Sequence, residues 1–120
     1  MIMNYHIIDS VGIVCYAVLV VPVSSLVGIN TITIVNNNGA LGQCWVAIKD
    51  AYKDKPKKEE MCMFSTVSFA KVAESLGCIG MRAERPEEIS ALLKTALKAD
   101  RPVVIEVITD PNCKAPDAGG

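Results

Sequence analysis

Apolar residues in the second half of the chain recur at spacings that predict helices and short strands in alternation. Apolar residues at helical spacing run through residues 69–76. Ser68 is a suitable N-cap for this helix, and Gly77, directly after Leu76, is a suitable stop. Apolar runs at residues 78–83 and 103–108 predict strands. Pro86 is placed at the first position of a second amphipathic helix between them. The order is therefore helix, strand, helix, strand.

The first half of the chain continues this alternation. Residues 5–8 predict a strand that ends at Asp9, residues 30–35 predict a second strand, and residues 42–52 predict a helix. The connection at residues 11–23 is rich in valine, which favours a strand. Two parallel strands, however, must be joined by a crossover, which favours a helix. Both conformations stay open for this connection.

This alternation predicts a single α/β domain. Strands and helices at these spacings form βαβ units, so we expect a three-layer fold with a mostly parallel sheet and helices on both faces. The domain comprises residues 1–111, and the polar residues 112–120 are predicted to form a loose tail. Glu106 interrupts the last apolar strand, which predicts that one face or one end of that strand is accessible.

Charged residues are distributed unevenly, and this narrows the classes of partner. The net charge is −1, and Asp9 is the only charged residue before Lys49. Basic residues do not cluster with aromatic ones, so nothing points to nucleic acid. Residues 11–29 are long enough to cross a bilayer, but proline and glycine interrupt them and no Lys or Arg flanks them, so we predict no membrane span. Burial in a sheet or against a partner chain explains this uncharged stretch better, and a homodimer is the default expectation.

The cysteine pattern indicates free thiols in a reducing compartment. The chain has five cysteines, which is an odd number, and no C-x-x-C pair. Neither a disulfide framework nor a zinc site is therefore predicted. Buried, unreactive thiols fit the cytoplasm, which is the expected location.

The most informative polar cluster follows the apolar run at residues 32–35. That run gives way to Asn36, Asn37, Asn38 and Gly39, residue types that favour a tight turn and present amide and carbonyl oxygens. Ligands of parallel α/β folds bind just beyond the carboxyl ends of the strands, where this loop is expected to lie. The loop is the candidate site, and a plain turn whose amides cap the next helix is the alternative.

Three stretches of the chain resemble the diphosphate-binding domain of thiamine diphosphate-dependent enzymes, in the acetolactate synthase-like branch. Residues 32–39 resemble the strand and Asn-Asn pair that close the family's cofactor motif. Residues 68–77 resemble a later helix, with Ser in place of Asp as its cap, and residues 85–107 resemble the last helix and strand. The family's motif opens with Gly-Asp-Gly, and the nearest match is Ile-Asp-Ser at residues 8–10, where both glycines are replaced. Residues 1–29 therefore depart from the pattern.

The resemblance implies thiamine diphosphate and Mg²⁺ as cofactors. It places Asn36, Asn37, Asn38 and Gly39 at the diphosphate. Asp9 and Asn37 would bind the metal through their side chains and Gly39 through its carbonyl, and such hard oxygen ligands are those that Mg²⁺ prefers. A turn or cap role for Asp9 stays open beside this, because the two flanking glycines are missing.

The resemblance also implies a partner. In this family a separate pyrimidine-binding domain supplies the glutamate that activates the cofactor, and a chain of 120 residues has no room for that domain. We therefore predict no catalytic residue here, and activity only as a subunit of a carboligase or decarboxylase that includes a pyrimidine-binding subunit. The alternative is a non-catalytic, self-associating structural or interaction protein on the same scaffold, which the uncharged residues 11–29 favour.

Overall fold

The computed structural model describes residues 5–9, 23–24, 26–64 and 67–113. In chain order, its elements are β1 (Tyr5–Asp9), β2 (Ile32–Asn37), α1 (Gly42–Ala51), a 3₁₀ turn (Lys58–Met61), α2 (Phe69–Ser75), β3 (Ile79–Ala83), α3 (Pro86–Ala96) and β4 (Val103–Ile108).

The strands of the described part form one parallel sheet in the order β1-β2-β4-β3. Tyr5 of β1 pairs with Ile32 of β2, and Val103 of β4 pairs with both Ile32 and Ile79 of β3. The predicted parallel α/β fold is therefore confirmed. The predicted connection at residues 11–23 lies outside the described residues except for its last position, so its conformation stays open.

Side chains of β4 alternate between the two faces of the sheet, and a helix covers each face. Val103 and Ile105 pack with Ala96 of α3 on one face. Val104 packs with Ala73 of α2 on the other face. The prediction of three layers with helices on both faces is confirmed.

Local signals define where α2 and α3 begin. The Ser68 hydroxyl accepts a hydrogen bond from the Lys71 N–H at 3.4 Å, so Ser68 is the N-cap of α2, as predicted. Pro86 is the first residue of α3, also as predicted. In the first turn of α3, the Glu88 carboxylate accepts a hydrogen bond from the Arg85 N–H at 3.2 Å. Both helices therefore begin where their sequence signals place them.

The predicted end of the second strand is wrong by two residues. β2 includes Asn36 and Asn37, which pair with Val107 and Ile108 of β4, and the Thr109 N–H donates to the Asn37 carbonyl at 3.0 Å. The neighbouring strand supplies hydrogen-bond partners to this point, and that outweighs the low strand propensity of asparagine. The candidate loop therefore starts inside the sheet.

Helix α1 packs in a hydrophobic cluster of its own. Trp45 is 5% exposed and packs with Cys62, as expected of a core residue. The Trp45 Nε1–H donates to Asn112 Oδ1 at 3.2 Å, and the Lys49 ammonium donates to the same oxygen at 2.9 Å. These two hydrogen bonds attach Asn112, the first residue of the predicted tail, to α1. Residues 114–120 of that tail lie outside the described residues.

The cysteines in the described part are free thiols, and Cys62 and Cys78 are buried. Burial raises the pKa of both thiols, which makes them poorly reactive at neutral pH. No helix within the described ranges is long and apolar enough to cross a membrane.

Candidate functional site

The carboxyl ends of β1, β2 and β4 meet at one edge of the sheet. Asp9 pairs with Asn36 across β1 and β2, and Asn36 pairs with Val107 across β2 and β4. The loop from Asn37 to Gly39 continues directly from this edge. The backbone positions of all the predicted cofactor and metal residues therefore lie together, as expected for the carboxyl edge of a parallel sheet.

Asn37 is the most constrained residue of the loop, and its side chain is 9% exposed. Its Nδ2 donates to Glu106 Oε1 at 2.6 Å and to the Val67 carbonyl at 3.2 Å. Its Oδ1 accepts a hydrogen bond from the Gly39 N–H at 3.0 Å. Both hydrogens of the amide are used, and the oxygen faces the loop.

The two neighbouring asparagines make different contacts. Asn36 Oδ1 accepts a hydrogen bond from the Thr109 hydroxyl at 2.5 Å, which joins the ends of β2 and β4. Asn38 Oδ1 accepts from the Ala40 N–H at 3.1 Å, a local turn typical of asparagine. The Asn38 side chain therefore supports the loop just before α1, although the N-cap residue of α1, Leu41, receives no side-chain cap.

Gly39 has a left-handed backbone with φ of +65°. Glycine adopts this conformation without the steric cost that a side chain would bring. The Gly39 carbonyl accepts a hydrogen bond from the Phe64 N–H at 2.8 Å, beside a bridge between Ala40 and Met63. The turn at Gly39 thus attaches the loop to the segment after the 3₁₀ turn.

Glu106 is a functional candidate that sequence reasoning missed. The sequence pattern predicts that Glu106 marks an accessible face or end of its strand, and this prediction is wrong at the residue itself, because its side chain is fully buried, with 0% exposed. Its Oε1 accepts the bond from Asn37, and its Oε2 accepts bonds from the Ser68 hydroxyl at 3.1 Å and the Ala70 N–H at 3.2 Å. Arg82 Nη1 lies 3.5 Å from Oε1. The sequence signal was a lone carboxylate in an apolar strand, which must find such partners if it is buried.

These contacts also set the ionisation of Glu106. Burial by itself raises the pKa of the carboxyl. Hydrogen bonds from Asn37, from the N–H groups of Ala70 and Phe69, and from Ser68 outweigh burial, so the pKa lies below its ordinary value. Glu106 is therefore a carboxylate at neutral pH, and both of its oxygens act as acceptors.

The loop offers hard oxygen donors to a cation. Asn37 Oδ1 and the Gly39 carbonyl each accept one hydrogen bond in the described structure, and each oxygen has a second lone pair. Among the described residues, no three His, Cys, Asp or Glu side chains cluster as a metal site.

A family model described as "Thiamine pyrophosphate enzyme, C-terminal TPP binding domain" matches residues 26–107. The chain belongs to this family. Thiamine pyrophosphate is another name for thiamine diphosphate, so the predicted family is confirmed. The match includes the whole loop from Asn36 to Gly39 and also Glu106, whereas Asp9 lies before it.

Acetolactate synthase from Bacillus subtilis (strain 168) is a relative of this chain. The two are 36% identical over 47 residues, which is 39% of this chain and 8% of the relative. The chain therefore corresponds to a small part of that enzyme. The predicted link to the acetolactate synthase-like branch is supported over this stretch.

Solved thiamine diphosphate-dependent enzymes have the same fold. The 4-hydroxybenzoylformate decarboxylase of Rhodococcus jostii RHA1 has a TM-score of 0.72 at 24% identity, over 88% of this chain and 19% of that protein. A putative thiamin diphosphate-dependent enzyme from Mycobacterium smegmatis has a TM-score of 0.61 at 22% identity, over 90% of this chain and 18% of that protein. The chain thus spans less than a fifth of the length of these enzymes.

Proposed function

We propose that this chain binds the diphosphate of thiamine diphosphate, together with Mg²⁺, at the loop from Asn36 to Gly39. The observation that carries the proposal is the buried amide of Asn37, whose oxygen faces the Gly39 turn at the carboxyl edge of the sheet. Ligands of parallel α/β folds bind at this edge. Membership of the thiamine pyrophosphate-binding family supplies the chemical class of the ligand.

The donor set fits magnesium. Asn37 Oδ1, the Gly39 carbonyl and the Asp9 carboxylate would hold the metal, and diphosphate oxygens would complete its octahedral shell. The pairing of Asp9 with Asn36 supports this set of metal ligands because it places the backbone of Asp9 beside the start of the loop. The replacement of the two glycines around Asp9 would weaken cofactor binding relative to the family pattern, since Ile8 and Ser10 add side chains at positions where the family has none.

The proposed activity needs a second subunit. Thiamine diphosphate, when bound, supplies carbanion stabilisation, and the protein positions it. We propose that a pyrimidine-binding subunit completes the site and that the pair is a carboligase or decarboxylase. The free thiols Cys44, Cys62, Cys78 and Cys113 support a cytoplasmic location.

The experiment that tests cofactor binding is a thermal melt of the full chain with and without thiamine diphosphate plus Mg²⁺. A ligand at about a hundred times its dissociation constant stabilises a protein by roughly 2.7 kcal/mol, which raises Tm by several degrees in a domain of this size. We expect a rise that requires both the cofactor and the metal.

Asn37→Ala removes the proposed amide ligand and is expected to abolish the rise, measured from its own unliganded Tm. Asn112→Ala is the matched control, since Asn112 bonds to Trp45 and Lys49 instead of the loop. Its rise should equal that of the wild type. No rise at millimolar cofactor and metal, or an undiminished rise in Asn37→Ala, would contradict the proposed site.

A non-catalytic, self-associating protein on the same scaffold is the second candidate. Four apolar residues just before β2 are strongly exposed, namely Val23 (54%), Leu26 (85%), Val27 (59%) and Ile29 (42%). Such a cluster favours contact with another protein surface. Both candidate functions use the same fold. The first requires that the chain binds thiamine diphosphate, and the second does not.

A further inference from the structure

The amide of Asn37 can in principle face in either of two directions, and its neighbours decide which. An asparagine amide presents two N–H donors on one side and an acceptor oxygen on the other. Two acceptors, Glu106 Oε1 and the Val67 carbonyl, face its nitrogen, and a donor, the Gly39 N–H, faces its oxygen. A flipped amide would place its oxygen against two acceptors and its nitrogen against a donor.

Glu106 makes the shortest of these contacts, at 2.6 Å, and bonds to a carboxylate are stronger than those between neutral groups. The other carboxylate oxygen is held by the Ser68 hydroxyl and the Ala70 N–H at the start of α2. Glu106 itself is fixed in β4, where its backbone pairs with Val35. The acceptor that selects the direction of the amide is therefore anchored by two separate elements.

We propose that Glu106 is a positioning residue that holds the oxygen of Asn37 toward the Gly39 turn, where it can bind the metal. The part of this inference that concerns the metal rests on the proposed function. Groups behind a metal ligand commonly fix the direction in which it presents its donor atom. Here the buried carboxylate would do so before any ligand arrives.

A glutamine cannot replace Glu106 in this role, although it has nearly the same shape. The carboxylate accepts on both oxygens, whereas glutamine has one acceptor oxygen and one donor nitrogen. If the glutamine oxygen stays with Ser68 and Ala70, its nitrogen faces Asn37 and favours the flipped amide. If the oxygen turns to Asn37 instead, the bonds at the start of α2 are lost.

The test measures the direction of the amide and the affinity separately, in the full chain. The first measurement is by NMR on the unliganded wild type, through the scalar coupling between Asn37 Nδ2 and the carboxyl carbon of Glu106. We expect a detectable coupling and slow exchange of the amide hydrogens. In Glu106→Gln we expect the Asn37 side-chain resonances to move. An absent coupling in the wild type, or unmoved resonances in the variant, would overturn the role of Glu106.

The second measurement is a calorimetric titration of thiamine diphosphate at saturating Mg²⁺. We expect Glu106→Gln to weaken binding by about 10- to 100-fold, the usual effect of removing a group that orients a metal ligand. Asn112→Ala is the control because it removes the bonds of Asn112 to Trp45 and Lys49 and leaves the bonds of Glu106 and Asn37 in place. It should lower Tm without changing the dissociation constant.

The outcomes separate this inference from the proposed function. If the wild type binds and Glu106→Gln binds equally well, or if Asn112→Ala loses as much affinity, the positioning role is overturned while the site stands. If the wild type does not bind, the proposed function fails and with it the metal-binding part of the inference. The NMR measurement still decides whether Glu106 sets the direction of the amide.

Discussion

Three adjacent asparagines of this domain have three different surroundings, and their chemistry differs accordingly. Asn36 joins two strand ends through Thr109, and Asn38 closes a local turn onto Ala40. Asn37 alone of the three is buried, and its amide reaches β4 through Glu106. A buried polar group needs partners, and those partners also fix its orientation. The surroundings of Asn37, more than its residue type, therefore make it the strongest ligand candidate.

At this same scale, Glu88 is expected to make the stability of the domain depend on pH. A hydrogen bond from the Arg85 side chain, and then bonds from the Glu84 and Arg85 N–H groups, lower the pKa of Glu88. A carboxyl whose folded pKa is lowered contributes stability above its unfolded pKa, about 4.3, and loses that contribution as the pH falls through the folded value. Glu88→Gln should therefore have a lower Tm than the wild type at pH 7, and the gap should close toward pH 3.

Melts of both proteins between pH 7 and pH 3 measure that gap. Glu87→Gln serves as the control, because it neutralises a carboxylate in the same turn while the bonds of Glu88 to the backbone remain. A difference in Tm between Glu88→Gln and the wild type that stays constant with pH would show that ionisation of Glu88 does not contribute to the stability of the domain.

At the scale of elements, the sequence predicts well those features that depend on near neighbours. Ser68 and Pro86 mark helix starts because caps and first-turn positions depend on the adjacent backbone. The end of β2 could not be predicted in this way, since Asn37 is held in the strand by pairing with Ile108, far along the chain. The burial of Glu106 likewise depends on β2, α2 and β4 together. Non-local pairing is thus the information that the sequence pattern lacks.

The packing of α2 on β3 depends on one glycine. A Cβ at Gly80 would collide with the backbone carbonyl of Ala70 in α2, which cannot move as a flexible side chain does. Gly80→Ala is therefore expected to lower the free energy of unfolding by about 1–3 kcal/mol, the usual cost of overpacking. Urea denaturation of Gly80→Ala and the wild type measures this difference in the free energy of unfolding.

Gly77→Ala is the matched comparison for this prediction. Gly77 has a φ of +83°, and a Cβ there would meet nothing within 4 Å. Gly77→Ala is therefore expected to lower the free energy of unfolding by only about 1 kcal/mol, the cost of placing a residue with a side chain in a left-handed backbone. Equal stability of Gly80→Ala and the wild type would mean that α2 can move away from β3 freely.

At the scale of the whole molecule, the candidate site and the exposed apolar residues lie at different places in the fold. The site begins at the carboxyl end of β2, whereas Leu26 and Ile29 precede the amino end of the same strand. The family assignment could be made from the sequence because its matching segments lie within residues 26–107. Membership of the family does not predict whether the exposed apolar residues before β2 bind another protein. A contact through the exposed residues would leave the carboxyl edge of β2 open to a cofactor.

Self-association through this apolar cluster is the prediction that belongs to this scale. Burying a leucine side chain contributes about 1.5–3 kcal/mol, and a symmetric dimer loses this side chain from both chains, so Leu26→Lys should raise the dissociation constant by roughly 100-fold or more. Leu97→Lys is the matched control, because Leu97 is also exposed, at 47%, but follows α3 instead of preceding β2. Sedimentation velocity over a range of concentrations should find a dimer for the wild type and Leu97→Lys and a shift toward monomer for Leu26→Lys. A wild type that stays monomeric, or a control that dissociates equally, would leave this surface without a role in self-association.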